Sequence, residues 1–142
     1  MVRVMASGVF DIIHPGHIFY LQSAKALGDE LVVVIASDRT VEMRKRRPIM
    51  CQEDRAKVVG ALKPVDKVVI GKDTGDVFDT VMEIEPDIIA LGFDQGFDEK
   101  DLERDAMNHG LKIRVVRLPR QNGGVDATRK IISRILEVFG ND

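Results

Sequence analysis

The sequence has no tryptophan, one tyrosine and one cysteine among its 142 residues. The lone cysteine, Cys51, can form neither an intramolecular disulfide nor a cysteine zinc cluster, and chains without disulfides are typical of the reducing cytoplasm. The apolar runs fall far short of the roughly 18 residues of a membrane span, and no charged-then-apolar leader opens the chain. We therefore expect a cytoplasmic protein with no membrane segment.

Charge and aromatic content argue against a nucleic-acid partner. The formal net charge is -2, so no strong positive field attracts a polyanion. Aromatic residues make up 5% of the chain, which leaves little surface for stacking single-stranded bases. Hydrophobic residues at 44% and charged residues at 31% are typical of a globular protein. The length suits one domain that spans residues 1–142.

Several familiar signatures are also missing. No G-x-x-x-x-G-K-[ST] P-loop occurs, and no G-x-G-x-x-G follows the first apolar run, because Gly8 precedes Val9 and Phe10. The chain has no serine nucleophile elbow either. These absences disfavour a P-loop NTPase, a dinucleotide-dependent dehydrogenase and a serine hydrolase.

What the chain does contain is an alternation of apolar runs and helix-like segments. Five runs predict strands: Val2–Ala6, Leu31–Ala36, Val68–Ile70, Ile88–Leu91 and Ile113–Leu118. Five segments predict helices: Pro15–Leu27, Gln52–Leu62, Asp76–Ile84, Glu99–His109 and Thr128–Phe139. Uninterrupted apolar runs are typical of parallel strands buried on both faces. The alternation therefore predicts an α/β fold with a single domain, built on a doubly wound five-stranded parallel sheet.

In such a sheet, ligands bind beyond the carboxyl ends of the strands, and the first of these corners carries two histidines. His14 and His17 lie on the first turn of a predicted helix, with Pro15 and Gly16 between them. They could cap the helix, or bind a metal (although no third ligand is evident), or bind phosphate. The phosphate interpretation has the most support, because a helix N-terminus carries about half a positive charge and free N–H donors. Gly16 would also let a phosphate approach the backbone closely.

Two later segments carry positive charge near strand ends. The run RKRR occupies residues 44–47, in a polar stretch at 38–47 that we expect to form a flexible loop. This run is either a solvated surface or a neutralising group for a polyphosphate. Thr128 opens the last helix close to Arg120 in sequence. That helix start is either simply capped by Asp126 or Thr128, or it forms a second phosphate cradle.

The pattern Gly8-x-Phe10-Asp11-x-x-His14-x-Gly16-His17 resembles the G-x-F-D-x-x-H-x-G-H signature of the cytidylyltransferase-like nucleotidyltransferases. The likeness covers nearly the whole chain, from the first strand to the last helix. Within that family the chain is most similar to the archaeal FAD synthases. The segments that carry this likeness are FDIIHPGH, AKALGDELVVVIASD, RKRRPI, ALKPVDKVVIG, PDIIALGFDQ and TRKII. Glycerol-3-phosphate cytidylyltransferases are similar in the same places to a lesser degree.

The resemblance implies a Rossmann-like HxGH fold and an enzyme that joins a nucleotide to a phosphate monoester. The monoester attacks the α-phosphate of a nucleoside triphosphate, and pyrophosphate leaves. ATP and FMN would give FAD, whereas CTP and glycerol 3-phosphate (or a related polyol phosphate) are the alternative pair. A non-catalytic nucleotide sensor is a lesser alternative. The resemblance also implies Mg²⁺ carried on the triphosphate, with no protein ligand named, and a homodimer to which residues 44–62 could contribute.

The resemblance further implies which residues form the site. Catalytic roles fall on His14, His17, Arg120 and Thr128. Nucleotide-binding roles fall on Val9, Phe10, Asp11, His14, Pro15, Gly16, His17, Arg44, Arg46 and Asp94. The chain departs from the family pattern at Ala127, where many relatives have Ser or Thr, and at Lys63, where cytidylyltransferases often have arginine.

Overall fold

Five parallel strands form one sheet in the computed structural model, which describes residues 1–44, 46–74, 76–121 and 123–140. The strands are β1 (Arg3–Gly8), β2 (Glu30–Ile35), β3 (Lys67–Ile70), β4 (Ile88–Leu91) and β5 (Arg114–Arg117). The helices are α1 (Pro15–Lys25), α2 (Asp38–Arg44), α3 (Gln52–Gly60), α4 (Phe78–Ile84), α5 (Glu99–Asn108) and α6 (Thr128–Phe139).

The strand order is β3-β2-β1-β4-β5, and all neighbouring pairs are parallel. From β1 the chain first winds outward through β2 and β3, and then returns to add β4 and β5 on the other side of β1. The order therefore reverses between β1 and β4, which is where ligands bind in open parallel sheets. The predicted doubly wound five-stranded sheet is confirmed.

Two apolar layers cover the sheet, because successive residues of a strand point to opposite faces. On β1, Val4 and Ala6 enter the layer that contains α1 and α3, whereas Met5 enters the layer that contains α4 and α5. All four residues of β4 are buried. This double burial explains why the sequence shows uninterrupted apolar runs rather than alternation.

The polar stretch after β2 differs from the expectation of a flexible loop. Residues 38–44 form α2, so the described residues contain six helices rather than the five that we predicted. Ser37 stabilises the start of α2, since its Oγ accepts a hydrogen bond from the Thr40 backbone N–H at 3.2 Å. Serine is a favoured N-cap residue, and one buried apolar residue, Val41, anchors the helix to the body of the protein.

The last helix is the least buried element. None of the described residues of α6 is buried, and Ile135 and Leu136 are 48% and 65% exposed. The helix is joined to the rest of the fold at its N-terminal end, where the Thr128 hydroxyl donates a hydrogen bond to the Ile12 carbonyl at 3.3 Å. No helix among the described residues combines the length and apolar character that a membrane crossing requires.

Candidate active site

A cavity of about 1080 Å³ opens beyond the carboxyl ends of β1 and β4. Ten of the twelve predicted site residues line it: Val9, Phe10, Asp11, His14, Gly16, His17, Arg44, Arg46, Asp94 and Thr128. Pro15 instead lines a smaller neighbouring cavity, and Arg120 is held by Asp126. The fold thus brings together residues from four separated segments of the chain, at the place where the strand order reverses.

Several other predicted features lie outside this cavity. Lys63 is exposed and does not line it. Lys45 of the basic run and Asn122 of the last loop lie outside the described residues. Ala127 occupies the N-cap position of α6 and, with a methyl side chain, makes no capping hydrogen bond.

The two histidines cap α1 reciprocally. Nδ1 of His14 accepts a hydrogen bond from the His17 backbone N–H at 3.4 Å, and Nδ1 of His17 accepts one from the His14 backbone N–H at 3.3 Å. The rings stack with centroids 3.7 Å apart. A neutral imidazole whose Nδ1 accepts a hydrogen bond carries its proton on Nε2. The capping role and the phosphate-binding role therefore coexist, because capping presents each Nε2–H as a donor.

Burial keeps both imidazoles neutral. It lowers the pKa of His17 to about 4, and the neighbouring His14 ring acts in the same direction. Burial also lowers the pKa of His14, although the Asp126 carboxylate opposes that shift. Near neutral pH both rings are therefore neutral hydrogen-bond donors rather than fixed cations. Such donors can bind phosphoryl oxygens and strengthen their bonds as negative charge grows.

We expect the shifted pKa of His17 to make the protein less stable in mild acid. The folded-state pKa of about 4 lies below the ordinary histidine value of 6.5, so between these values the unfolded chain binds more protons. The free energy of unfolding should then fall as the pH falls through this window, and level off above about pH 6.5. Urea unfolding of wild type and His17→Gln at several pH values measures this. An equally steep fall in His17→Gln would contradict the assignment.

Gly16 permits the close contact between the starts of α1 and α6. A Cβ on Gly16 would lie 2.7 Å from the Asp126 Cα, a distance that packed atoms cannot adopt. The Gly16 N–H also donates to the Val125 carbonyl at 3.0 Å. The glycine of the HxGH pattern therefore has a packing role in addition to any approach by phosphate, since it joins two helix N-termini that share the cavity.

Asp126 forms ion pairs with two cationic side chains beside this contact. Its carboxylate accepts hydrogen bonds from Arg120 at 2.6 Å and Lys130 at 2.5 Å. These two cations hold the pKa of Asp126 well below its usual range. The Arg120 guanidinium also lies 5.2 Å from the centre of the Phe93 ring. Arg120 is thus at the cavity edge, close to the helix starts, with its charge balanced by Asp126.

Phe10 shapes the floor of the cavity through its backbone rather than its ring. Its side chain is 2% exposed, and its φ of 53° is left-handed, which is costly for a bulky residue. The ring packs over Gly8, where a Cβ would lie 2.8 Å from Cε2 of Phe10. Its centroid is also 5.1 Å from that of His17. The G-x-F part of the pattern therefore supports the histidine corner by packing against it.

Arg55 is a supporting residue that the sequence reasoning missed. Its side chain is fully buried, and its guanidinium donates to the carbonyls of Val9 and Ala36, both at 2.8 Å, and of Met50 at 3.0 Å. It also pairs with Asp38 at 2.7 Å. The residue therefore ties together the loops after β1 and β2 and the segment before α3. The only local signal is that Arg55 precedes Val59 by one helical turn on the buried side of α3.

Asp11 ties the same segment from the opposite side. Its carboxylate accepts hydrogen bonds from the backbone N–H groups of Ile49 and Met50, at 2.8 and 2.9 Å. Arg46 lies 3.8 Å from the same carboxylate. Asp11 thus orients the loop that carries Arg46 and also lines the cavity.

The donor set of the cavity does not form a protein cage for a metal. Among residues 1–44, 46–74, 76–121 and 123–140, no group of three or more His, Cys, Asp or Glu side chains is placed to hold an ion. The pair His14 and His17 uses both Nδ1 atoms in capping. A metal here would depend on ligand oxygens and water, which is usual for Mg²⁺ bound with phosphates.

Comparison with known proteins agrees with this architecture. The family model described as cytidylyltransferase-like matches residues 5–136. The FAD synthase of Aciduliprofundum boonei is 52% identical over 139 residues, covering 96% of this chain and 92% of that protein. The FAD synthase of Archaeoglobus profundus is also 52% identical, covering 97% of this chain and 88% of that protein.

A solved structure extends the likeness to three dimensions. The crystal structure of the lipopolysaccharide core biosynthesis protein from Thermoplasma volcanium has a TM-score of 0.83 and 46% identity, covering 86% of this chain and 99% of that one. The region matched by the family model contains all the predicted site residues, from Val9 to Thr128. As the pattern from Gly8 to His17 predicted, the chain belongs to the cytidylyltransferase-like family of nucleotidyltransferases.

Proposed function

We infer that this protein is an FMN adenylyltransferase, which transfers AMP from ATP to FMN and releases FAD and pyrophosphate. The observation that carries this conclusion is the 52% identity to FAD synthases over 96–97% of the chain. The reaction needs no covalent intermediate with the protein. It needs two phosphate groups held in line and donors that stabilise charge in the transition state. The histidine corner offers two such donors.

The bond changes follow from the substrates. A phosphate oxygen of FMN forms a bond to the α-phosphorus of ATP, and the bond from that phosphorus to the β-phosphate bridging oxygen breaks. A phosphate monoester is largely dianionic at neutral pH, because its second pKa is about 6. The nucleophile therefore needs no general base, and the protein has only to bind and orient the two substrates and stabilise negative charge.

We assign that stabilisation to the two neutral imidazoles. His14 is the N-cap of α1 and His17 lies in its first turn, where the helix dipole adds partial positive charge. Neutral donors suit a site that must also release pyrophosphate, because they attract the ground state less strongly than fixed cations do. In this proposal Gly16 and Pro15 shape the turn, whereas Val9 and Phe10 contribute backbone groups beside the nucleotide.

Arginines and the start of α6 complete the proposed phosphate site. Arg44 and Arg46 lie on the cavity wall after β2, and we assign them to the phosphates. In this proposal Arg120 exchanges Asp126 for a phosphate, while Lys130 remains paired with the Asp126 carboxylate. Thr128 contributes the first backbone N–H of α6, and we place Asp94, which also lines the cavity, beside the nucleoside.

Members of this family use metal ions bound to the nucleotide, and we propose Mg²⁺ as that ion here. It would be carried by the triphosphate and water, as is usual for this ion in phosphate-binding sites. When bound, the ion would neutralise charge on the β- and γ-phosphates and make pyrophosphate a better leaving group. The residues that meet this complex would be Arg44 and Arg46.

A test of two substrate pairs distinguishes this function from its nearest alternative. Purified protein with Mg²⁺ should form FAD and pyrophosphate in equal amounts from ATP and FMN, measured by chromatography and a pyrophosphate assay. CTP with glycerol 3-phosphate should give no more product than a protein-free blank. CDP-glycerol formation instead would move the protein to the cytidylyltransferase reaction within the same family. Nucleotide binding without either product would favour the sensor.

Three further properties belong with this proposal. We propose that one catalytic domain occupies residues 1–142, that the protein acts in the cytoplasm, and that it forms a homodimer to which residues 44–62 contribute. Light scattering after size-exclusion chromatography tests the last point. A mass near twice the 15.8 kDa of the chain is expected, and a monomer at micromolar concentration would contradict it.

A further inference from the structure

The loop between β4 and α5 exposes two phenylalanines to the cavity. Phe93 and Phe97 are 41% and 38% exposed, and both line the cavity wall. A single exposed apolar side chain on a protein surface needs no explanation. Two exposed aromatic rings on one short loop inside a cavity indicate a binding role, provided that the loop is held in place.

Arg117 cross-links this loop through several hydrogen bonds. Its guanidinium donates hydrogen bonds to the carbonyls of Gly92 at 3.0 Å and Gln95 at 2.8 Å, and also to the carbonyl of Phe97. The same group pairs with the Glu99 carboxylate at 2.5 Å. The two phenylalanines are thus attached to a backbone that is fixed on both sides, and their exposure is a property of the folded loop.

Gln95 ties the centre of the loop to the sheet. Its Oε1 accepts a hydrogen bond from the Gly92 N–H at 2.8 Å, and its Nε2 donates to the Ser7 carbonyl at 3.2 Å. Ser7 belongs to β1, whose carboxyl end opens the cavity. The loop is therefore anchored to the strand from which the histidine corner continues, and its rings keep a fixed relation to that corner.

One of the rings lies beside the phosphate-binding end of the cavity. The Arg120 guanidinium is 5.2 Å from the Phe93 ring centre and is hydrogen-bonded to Asp126. Asp126 in turn packs against Gly16 of the histidine corner. A ligand that places its phosphate at this corner can thus bring an attached ring toward Phe93.

We propose that Phe93 and Phe97 form a platform for the planar ring system of one substrate. This inference rests on the proposed function, in which each substrate joins a phosphate to a flat heterocycle: adenine in ATP and isoalloxazine in FMN. Both heterocycles have a large flat π-face. Either one can therefore stack on an aromatic side chain. The fixed loop presents the rings in advance, so little ordering cost accompanies binding.

Direct binding measurements test the platform without requiring turnover. The dissociation constant of FMN is measured by quenching of flavin fluorescence, and that of a non-hydrolysable ATP analogue by calorimetry. Phe93→Ala and Phe97→Ala should weaken binding of one ligand by about tenfold, which is within the range for loss of one base–aromatic stack. The other ligand should change by less than about twofold, and the weakened ligand identifies the ring that stacks.

Three variants control the measurement. Phe139→Ala removes an aromatic ring that is 62% exposed on α6, away from the cavity, and should leave both constants unchanged. Phe93→Tyr keeps the ring and should bind like wild type. Phe93→Leu keeps apolar area without a π-face, so it should recover only part of the loss. This ordering separates stacking from simple apolar contact.

The outcomes keep this proposal distinct from the proposed function. If wild type binds both ligands and the alanine variants bind them equally well, the platform is wrong and the FMN adenylyltransferase function stands. An equal loss for both ligands would also overturn the platform, because it indicates a disturbed loop. If wild type fails to bind FMN but binds CTP, the proposed function fails. The same variants assayed with CTP then decide the platform by the same tenfold criterion.

Discussion

Replacing His17 with alanine should lower the kcat for FAD formation by about 10²–10³-fold, the usual cost of removing one preorganised donor from a transition-state site. The variant loses the Nε2–H that we assign to the phosphoryl oxygens. It also loses the Nδ1 acceptor for the His14 backbone N–H, a bond of 3.3 Å. Loss of a helix cap costs only about 1 kcal/mol of stability, so the protein should still fold. Steady-state kinetics at pH 7.5 with saturating ATP and FMN measures the change.

The third histidine provides a matched control for this substitution. His109 is exposed and does not line the cavity, and its ring stacks on Phe78, a residue of the cavity wall, with centroids 4.5 Å apart. His109→Ala should change kcat by less than about twofold. Far-UV circular dichroism and the melting temperature verify that both variants fold. Turnover by His17→Ala equal to that of wild type would remove this residue from the proposed mechanism.

The sheet and the location of the site could be predicted because both depend on local patterns. The apolar run Leu31–Ala36 appears as β2 (Glu30–Ile35) in the structure, buried on both faces. Strand ends can be located from such runs, and in a parallel sheet all the carboxyl ends lie at one edge. Consequently most residues predicted for the site do line one cavity, although they come from distant parts of the chain.

The supporting contacts could not be predicted, because they join residues that no sequence period relates. Asp126 packs on Gly16, 110 positions away, and a glycine between Pro15 and His17 suggests phosphate as readily as packing. Arg120 has a carboxylate partner that becomes evident only when the loop before α6 is folded. Arg55 reaches carbonyls of two different strand-to-helix loops. In each case a charged or small residue satisfies backbone groups that only the tertiary fold brings together.

The prediction of a flexible loop after β2 was wrong for a related reason. Residues 38–44 have little apolar content, so hydrophobic periodicity gives no helix signal there. The helix is stabilised instead by its cap at Ser37 and by Asp38, which is paired with Arg55. Capping signals are short and occur widely in loops as well. The buried partner that makes this one effective lies in another helix.

Replacing Arg55 with methionine should cost about 3 kcal/mol of unfolding free energy, because buried carbonyls that lose a charged donor keep their desolvation penalty. Methionine fills much of the same space, so the loss reports on hydrogen bonds rather than on a cavity. Asp38 is 34% exposed and can be hydrated again, so the main cost falls on the carbonyls of Val9 and Ala36. For a chain of this length the melting temperature should fall by roughly 6–12 °C.

The same substitution should impair the site as well as the fold. The Val9 carbonyl belongs to the loop that we assign to the nucleotide, and its hydrogen bond from Arg55 would be lost. We therefore expect the KM for ATP to rise by about tenfold at temperatures where the variant remains folded. Arg104→Met is the matched control, since the contact that Arg104 makes within the described part of the chain is an exposed pair with Asp101 on α5, and exposed pairs contribute about 0–1 kcal/mol. If Arg55→Met melts like Arg104→Met, then the bonds of Arg55 do not organise these loops. If it melts early but binds ATP normally, Arg55 stabilises the fold without positioning the site.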